Sequence, residues 1–225
     1  LNRPELRLVL AVSLDGRLAP PEGGAAQLGG AGDRRALEEA LVWADACLIG
    51  AQTLRLHGST CLIRQPELVA QRQAAGRSAQ PRAIVVSRSG RFAPDLPFWT
   101  QPLERWLLQA HGPEPAPRPQ PDLPPPPGFS RLLHWSTWPE ALAPLAAAGI
   151  QRLVVLGGAQ LAASLLAADC LDALQLTLCP LLLGGPHHWL PSAGLPLQGQ
   201  GWRLEQHRPL GGDEVLLRYR RTPAL

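Results

Sequence analysis

Along this chain, short apolar runs alternate with segments whose apolar positions recur at helical spacing. Residues 6–13, LRLVLAVS, form a compact β-type run closed by Leu14-Asp15-Gly16, which predicts a strand followed by a turn. A loop through Gly23-Gly24 and Gly29-Gly30 leads to Asp33, which is placed to cap a helix. Beyond it, Leu37, Ala40, Leu41 and Ala44 stand at i, i+3, i+4 and i+7. Ala46 to Gly50 and Ile84 to Ser87 are continuous apolar runs of the kind buried in parallel sheets, separated by a helical stretch from Gln65 to Gly76.

Trp106 to Gln109 predicts a fourth strand and Arg131 to Leu133 another; Thr137-Trp138-Pro139 opens a helix that runs to about Ala148 and stops at Gly149. Leu153 to Leu156 predicts a strand, Gln160 to Ala168 a helix and Ala173 to Cys179 a strand. Trp202 to Pro209 and Val215 to Tyr219, joined through Gly211-Gly212-Asp213, predict an antiparallel hairpin. Strand and helix alternation gives an α/β fold: a mixed, mainly parallel sheet between two helical layers, ending in that hairpin.

Residues 112–128 interrupt the pattern, because proline dominates there and no packed element fits. Neither flanking half closes a βαβ pattern alone, so the segment is expected to be a surface excursion within a single domain spanning 1–225. The length of 225 residues and 45% hydrophobic content are enough for one sizeable core. Charged residues make up only 17%, and no run reaches the roughly 18 apolar residues of a membrane helix. The first residues lack the charged, apolar and small-residue zones of a secretory signal, so a cytoplasmic location is expected.

All 21 basic residues are arginine, and they are dispersed from Arg3 to Arg221. With a net charge of +3 and 5% aromatic residues, nucleic acid is not an expected partner, although a weakly basic surface suits an anionic ligand. The four cysteines have no CxxC spacing, so neither a zinc site nor a disulfide framework is expected.

The strongest physical candidate for a ligand site is the junction at 153–168, where a strand meets Gly157-Gly158 and a helix follows. Glycines allow a ligand to approach the backbone, and the helix start offers free N–H groups and the positive end of its dipole. The alternative is a tight strand-to-helix turn without a ligand. The GxGxxG fingerprint of dinucleotide folds is absent.

Three segments in order add to this: Ala11 to Arg17 (AVSLDGR), Ala44 to Thr53 (ADACLIGAQT), and Leu156-Gly157-Gly158 followed by Leu171-Asp172 and Pro180 to Gly185. In combination they resemble the C-terminal reductase domain of the bacterial riboflavin-biosynthesis deaminase-reductases, over roughly residues 6–220. That resemblance implies a dihydrofolate reductase-like fold and a homodimer. It implies an NADPH-dependent reduction of 5-amino-6-(5-phosphoribosylamino)uracil, a phosphorylated pyrimidine, with the cofactor carrying the hydride chemistry.

On this resemblance Gly157, Gly158, Ala159 and Gln160 would hold the pyrophosphate, and Gly50, Ala51 and Thr53 at a strand end would meet the cofactor. Ser87, Arg88 and Ser89 would face the adenosine end, where an arginine and hydroxyls suit a 2′-phosphate and hence NADPH over NADH. Ser13, Asp15 and Arg17 would lie near the substrate, Asp15-Gly16 being equally expected as a plain turn. Asp45 and Asp172 are expected to be structural hydrogen-bonding groups.

The chain departs from the family at four places. Val9 stands where a polar Lys or Asn is usual, His57-Gly58-Ser59 where Asp-Pro is usual, and Leu156 where a Glu precedes the glycine pair. The Gly24 to Leu28 loop offers Gln27 as its one polar side chain, where the family has Ser and Trp. His57 could supply a proton and Arg55 or Arg64 could replace lost phosphate contacts, the alternative for each being a solvated loop residue. The sequence has no His-x-Glu with Pro-Cys-x-x-Cys, so zinc deamination is excluded for it. Two functions therefore stand side by side: a reductase, and an idle or repurposed NADPH-binding domain. A pterin or folate reductase ranks below them.

Overall fold

The computed structural model describes residues 3–110, 124–190 and 200–222. In chain order the first elements are β1 (Glu5–Ser13), α1 (Ala31–Trp43), β2 (Ala46–Gly50), α2 (Ala51–His57), α3 (Pro66–Ala74) and β3 (Arg82–Ser87). There follow β4 (Arg105–Ala110), β5 (Arg131–Trp135), α4 (Trp138–Ala147), β6 (Arg152–Val155), α5 (Ala159–Ala167), β7 (Ala173–Cys179), β8 (Trp202–Gly211) and β9 (Glu214–Arg221). This is the mixed, mainly parallel α/β arrangement with a C-terminal antiparallel hairpin that the alternation predicts. Residues 112–123 of the proline-rich segment lie outside the described residues.

The chain divides into two compact units, one of residues 1–4 and 41–153, the other of residues 5–40 and 154–225. In the first, β2, β3, β4 and β5 pair in parallel, in that order. Leu48, Ile84, Leu107 and Leu108 on these strands are fully buried together with Leu142 and Leu145 of α4. Burial on both faces explains why their sequences lack the alternation of a half-exposed strand. Asp45 is structural, as expected: its Oδ2 accepts bonds at 2.9 Å from the amides of Gln151 and Arg152.

Arg72 is a second organiser of this unit and is 2% exposed. Its guanidinium donates to the carbonyls of Leu41 at 2.9 Å, Val42 at 3.2 Å and Ser78 at 2.6 Å, and also to Ala44. Leu41 and Val42 belong to the last turn of α1, where carbonyls lack helical partners and a cation opposes the dipole favourably. Burial, followed by the neighbouring Arg77, pulls the Arg72 pKa down to about 10, which leaves it charged at neutral pH.

In the second unit β1 and β7 are parallel, from Arg7↔Ala173 to Ser13↔Cys179, while β9 runs antiparallel to β7 and β8 antiparallel to β9. The two residues between β8 and β9, Gly212 (φ 60°) and Asp213 (φ 61°), are both left-handed, as a two-residue hairpin turn requires. Asp172 stitches β1 to the start of β7, its Oδ2 accepting from Leu6 N at 2.8 Å.

Two local readings change. α1 begins at Ala31, so Asp33 lies in its first turn and is not its cap. A short α2 covers residues expected to be strand end and loop, so Thr53 is helical. Gly50 in extended geometry starts α2 and left-handed Gly58 (φ 70°) ends it, while only Ala51 and Leu54 are buried. Seven residues with two buried positions give too little periodicity to show a helix in sequence.

Candidate functional site

In the first unit the parallel register Gly50↔Val86 brings Gly50 and Ala51 to the same strand ends as Ser87, Arg88 and Ser89. Carboxyl ends of parallel strands are where open α/β sheets bind ligands. Ser87 is buried and its Oγ accepts from Gly90 N at 3.0 Å, closing a turn whose Gly90 has φ 63°. That turn leaves Arg88 and Ser89 exposed.

Arg55 reaches this loop from α2. Its Nη2 donates to Arg91 O at 2.7 Å and to Ser89 Oγ at 3.4 Å, and its guanidinium carbon lies 5.0 Å from the Phe92 ring centre. Arg55 therefore joins the group assigned to the adenosine end, whereas the sequence reading put it with the substrate. His57 is exposed at the C-terminal end of α2. Two residues along a helix is about 200° around its axis, so His57 and Arg55 leave α2 on opposite sides.

In the second unit Ser13, Asp15 and Arg17 form one network. Ser13 Oγ donates to Asp15 Oδ1 at 2.5 Å and accepts from Arg17 N at 2.8 Å. Asp15 also accepts from Leu183 N at 3.1 Å and Gly184 N at 2.7 Å, while Arg17 Nε donates to Gly184 O at 3.1 Å. Arg17 also contacts His188 Nδ1. The Ser13 hydroxyl and then the two amides hold the Asp15 carboxyl far below the usual carboxylate range. Asp15 thus fastens the 181–188 loop, and its acceptor capacity is largely used within the protein.

The glycine junction lies in the same unit. Gly157 has φ 84°, a conformation that favours glycine, and a Cβ there would stand 2.9 Å from the Leu10 Cδ2 methyl, which would have to move. The Gly157-Gly158 peptide is cis. Gly158 is the N-cap of α5 and offers no side-chain cap. The first helical bond that it accepts is from Ala162 N at 3.0 Å, so the amides of Ala159, Gln160 and Leu161 precede the helical ladder. Gly158, Ala159 and Gln160 are all at least partly accessible. An uncapped, accessible helix start after a left-handed glycine fits a dinucleotide phosphate.

Two carboxylates outside the predicted set lie in this unit. Glu214 is 6% exposed; its Oε1 accepts from Gly30 N at 2.6 Å and its Oε2 is buried with no hydrogen-bond partner among the described residues. Asp33, half-buried, is raised above the ordinary aspartate value by burial, against the hydrogen bond from Thr177 and with the Glu214 charge adding to the rise. The only sequence signal for them is an acid closing the glycine run 29–33 and another closing the Gly211-Gly212-Asp213 turn.

The sheet order within each unit, the C-terminal hairpin and the glycine-opened helix at a strand end define a dihydrofolate reductase-like α/β protein. The chain belongs to the RibD C-terminal domain family, whose model matches residues 4–216. No curated protein sequence matches it. Among solved structures, a pyrimidine reductase-like protein of Corynebacterium diphtheriae has a TM-score of 0.78 at 20% identity, covering 99% of this chain and 93% of that one. The diaminohydroxyphosphoribosylaminopyrimidine deaminase/5-amino-6-(5-phosphoribosylamino)uracil reductase of Thermotoga maritima has a TM-score of 0.74 at 18% identity, covering 98% of this chain and 57% of that one. This chain thus spans little more than half of that bifunctional protein's length. Dihydrofolate reductase of Enterococcus faecalis, complexed with NADP(H), has a TM-score of 0.55 at 13% identity over 97% of each chain.

Proposed function

We propose that this chain is an NADPH-dependent reductase of the 5-amino-6-(5-phosphoribosylamino)uracil type, serving riboflavin biosynthesis. One observation carries the reading: in a member of the RibD C-terminal domain family, the start of α5 is uncapped and accessible behind a glycine in the left-handed region. NADPH, when bound, supplies the hydride.

The chain's own residues bind and orient. Gly157, Gly158, Ala159 and Gln160 offer backbone N–H groups to the pyrophosphate. Gly50, Ala51 and Thr53 at their strand end would contact the cofactor, and Ser87, Arg88 and Ser89, joined by Arg55, would take the adenosine 2′-phosphate. Ser13, Asp15 and Arg17 shape the substrate loop, and His57 is a candidate proton source. We take 1–225 as a single reductase domain, acting on a phosphorylated pyrimidine as a cytoplasmic homodimer.

Titration of NADPH by fluorescence, followed by its oxidation in the presence of the phosphoribosylaminouracil, tests this. The wild-type chain is expected to bind NADPH and turn the substrate over, and Gly157→Ala to weaken binding by about 10-fold or more, since the backbone it distorts is the binding surface. Arg88→Ala is expected to lower the preference for NADPH over NADH by about 10-fold. Failure to bind either dinucleotide would refute the reading. Buried Val9, 8% exposed at a position where the family offers a polar group, favours a second reading, a domain that binds NADPH without reducing this uracil. Binding without turnover is its signature.

A further inference from the structure

Among the described residues, the backbone of 88–91, which follows β3, makes no hydrogen bond within itself; side chains hold it instead. Ser87 Oγ accepts from Gly90 N at 3.0 Å, and Ser89 Oγ accepts from Arg91 N at 3.3 Å. Gln109 Nε2, from β4, donates to Arg88 O at 2.9 Å, and Arg55 Nη2, from α2, donates to Arg91 O at 2.7 Å. The parallel register Ser87↔Gln109 sets that amide on the adjoining strand, level with the start of the loop. Phe92 anchors the far end, its ring centre lying 6.2 Å from that of Trp99 and 5.9 Å from that of Phe129, with the Arg55 guanidinium carbon at 5.0 Å.

These bonds sort the polar groups of the loop by kind. The carbonyls of Arg88 and Arg91 are both occupied by side-chain donors. The Ser89 oxygen accepts from Arg91 N and, at 3.4 Å, from Arg55 Nη2, so its own hydroxyl hydrogen is left to donate. Arg88 and Ser89 are exposed, and a guanidinium has donors only. The pair therefore offers donors on a backbone held from three sides, while the carbonyl next to both of them is taken up by Gln109. Such a surface suits a group that only accepts, as an ionised phosphate does. A ribose 2′-hydroxyl, which donates as well as accepts, gains less from it.

We propose that Gln109 is a positioning residue for cofactor choice: by taking up the Arg88 carbonyl it keeps Arg88 and Ser89 as donors for a ribose 2′-phosphate, and so favours NADPH over NADH from the neighbouring strand. The inference rests on the dinucleotide-binding part of the reductase reading and extends it to a residue outside the contacts proposed there. Gln109 acts through the loop, not on the cofactor. Its amide is neutral, so it adds no charge to attract a phosphate, and its effect lies in which groups the loop presents. Without it the Arg88 carbonyl is an open acceptor beside the two donors, where it repels phosphate oxygens and accepts from a ribose hydroxyl. Loss of Gln109 thus separates the two dinucleotides, whereas a general loosening of the loop weakens both alike.

The test is calorimetric titration of the full chain with NADPH and with NADH, alongside amide hydrogen exchange without cofactor. The wild type is compared with Gln109→Met, which keeps the length of the side chain and removes the donor. Gln109→Met is expected to bind NADPH about 5-fold more weakly, the worth of one neutral hydrogen bond, and to bind NADH no more weakly than the wild type does. Exchange of the Gly90 and Arg91 amides is expected to speed up by about 5-fold, while that of Ala83 to Val85 within β3 stays unchanged. If both dinucleotides weaken by the same factor, or the preference for NADPH is unmoved, Gln109 does not set cofactor choice and the proposal falls. A wild-type chain that binds NADH as tightly as NADPH also overturns it and leaves dinucleotide binding intact. If the wild type binds neither, the reductase reading and the cofactor choice fall together. Hydrogen exchange then still decides whether Gln109 holds the loop, faster exchange supporting that role and unchanged exchange overturning it.

Discussion

Asp15 and Asp33 sit in the same compact unit, near the same end of the β1–β7 pair, and their environments push them in opposite directions. Asp15 receives a hydroxyl and two amides and is held strongly acidic, although it lies in a loop. Asp33 receives the Thr177 hydroxyl against burial and a neighbouring carboxylate, and is pushed up. The acid with the most donors is the one held low, and the acid set against burial and a neighbouring carboxylate is the one pushed up. Donors and burial around each acid account for the direction of its shift, which position in a motif does not.

The sharpest way to break this contrast is Ser13→Ala. Ser13 is 0% exposed, and its hydroxyl is both the donor that Asp15 relies on most and the acceptor for Arg17 N. Removing it leaves the part-buried Arg17 amide without its acceptor and Asp15 short of a donor, expected to cost about 1–3 kcal/mol. The measurements are denaturant unfolding and limited proteolysis, with cutting expected first in the 181–188 loop that Asp15 holds. A variant as stable and as protected as wild type would show that the turn stands without this network.

The sequence carried the two acids unequally, and for a physical reason. Asp15 is followed by Gly16, so local turn chemistry announces it, and its contacts with residues 13 and 17 are within hairpin reach. Asp33 and Glu214 are 181 positions apart and meet only because β7 and β9 pair antiparallel under α1. No spacing rule sees that. The long elements were legible because buried parallel strands and amphipathic helices leave runs and periods that need no tertiary knowledge. α2 was not, since glycines at both ends define it more than any apolar period does. The partners of Arg55 were hidden for the same reason: without the helix, nothing showed that its side chain would run to Arg91 and the Phe92 ring. The Gly157-Gly158 junction was legible because glycine there is required by backbone conformation, and local conformation is what sequence encodes best.

Thr177→Val sharpens the contrast from the other side. Thr177 is 2% exposed and its bond is what keeps Asp33 from rising further. Valine keeps the shape and removes the donor, so the Asp33 carboxyl is expected to titrate higher still when followed by carbon-detected NMR. The loss of stability is expected to be about 1 kcal/mol, less than for Ser13→Ala because one hydrogen bond is lost and not two. An unmoved Asp33 titration would mean that burial and Glu214 alone set its environment.

The smallest effect is also the most diagnostic, because its sign differs for the two acids. A carboxyl held below its unfolded value contributes stability that is present above the ordinary aspartate range, about 3.9, and is lost as the pH falls towards the folded value. That is Asp15. A carboxyl raised on folding contributes stability that is fully present below about 3.9 and is lost as the pH rises through its folded value. That is Asp33. Chemical denaturation from acid to neutral pH is therefore expected to show Asp15→Asn flattening part of the acid-side loss, the remainder belonging to groups such as Glu205, which Arg220 also holds low. Asp33→Asn is expected to flatten the decline on the rising side and leave the acid limb unchanged. Because both substitutions swap one carboxyl oxygen for an amide at constant size, a shared response would come from lost packing or lost bonds in general, and opposite responses can come only from opposite protonation linkage.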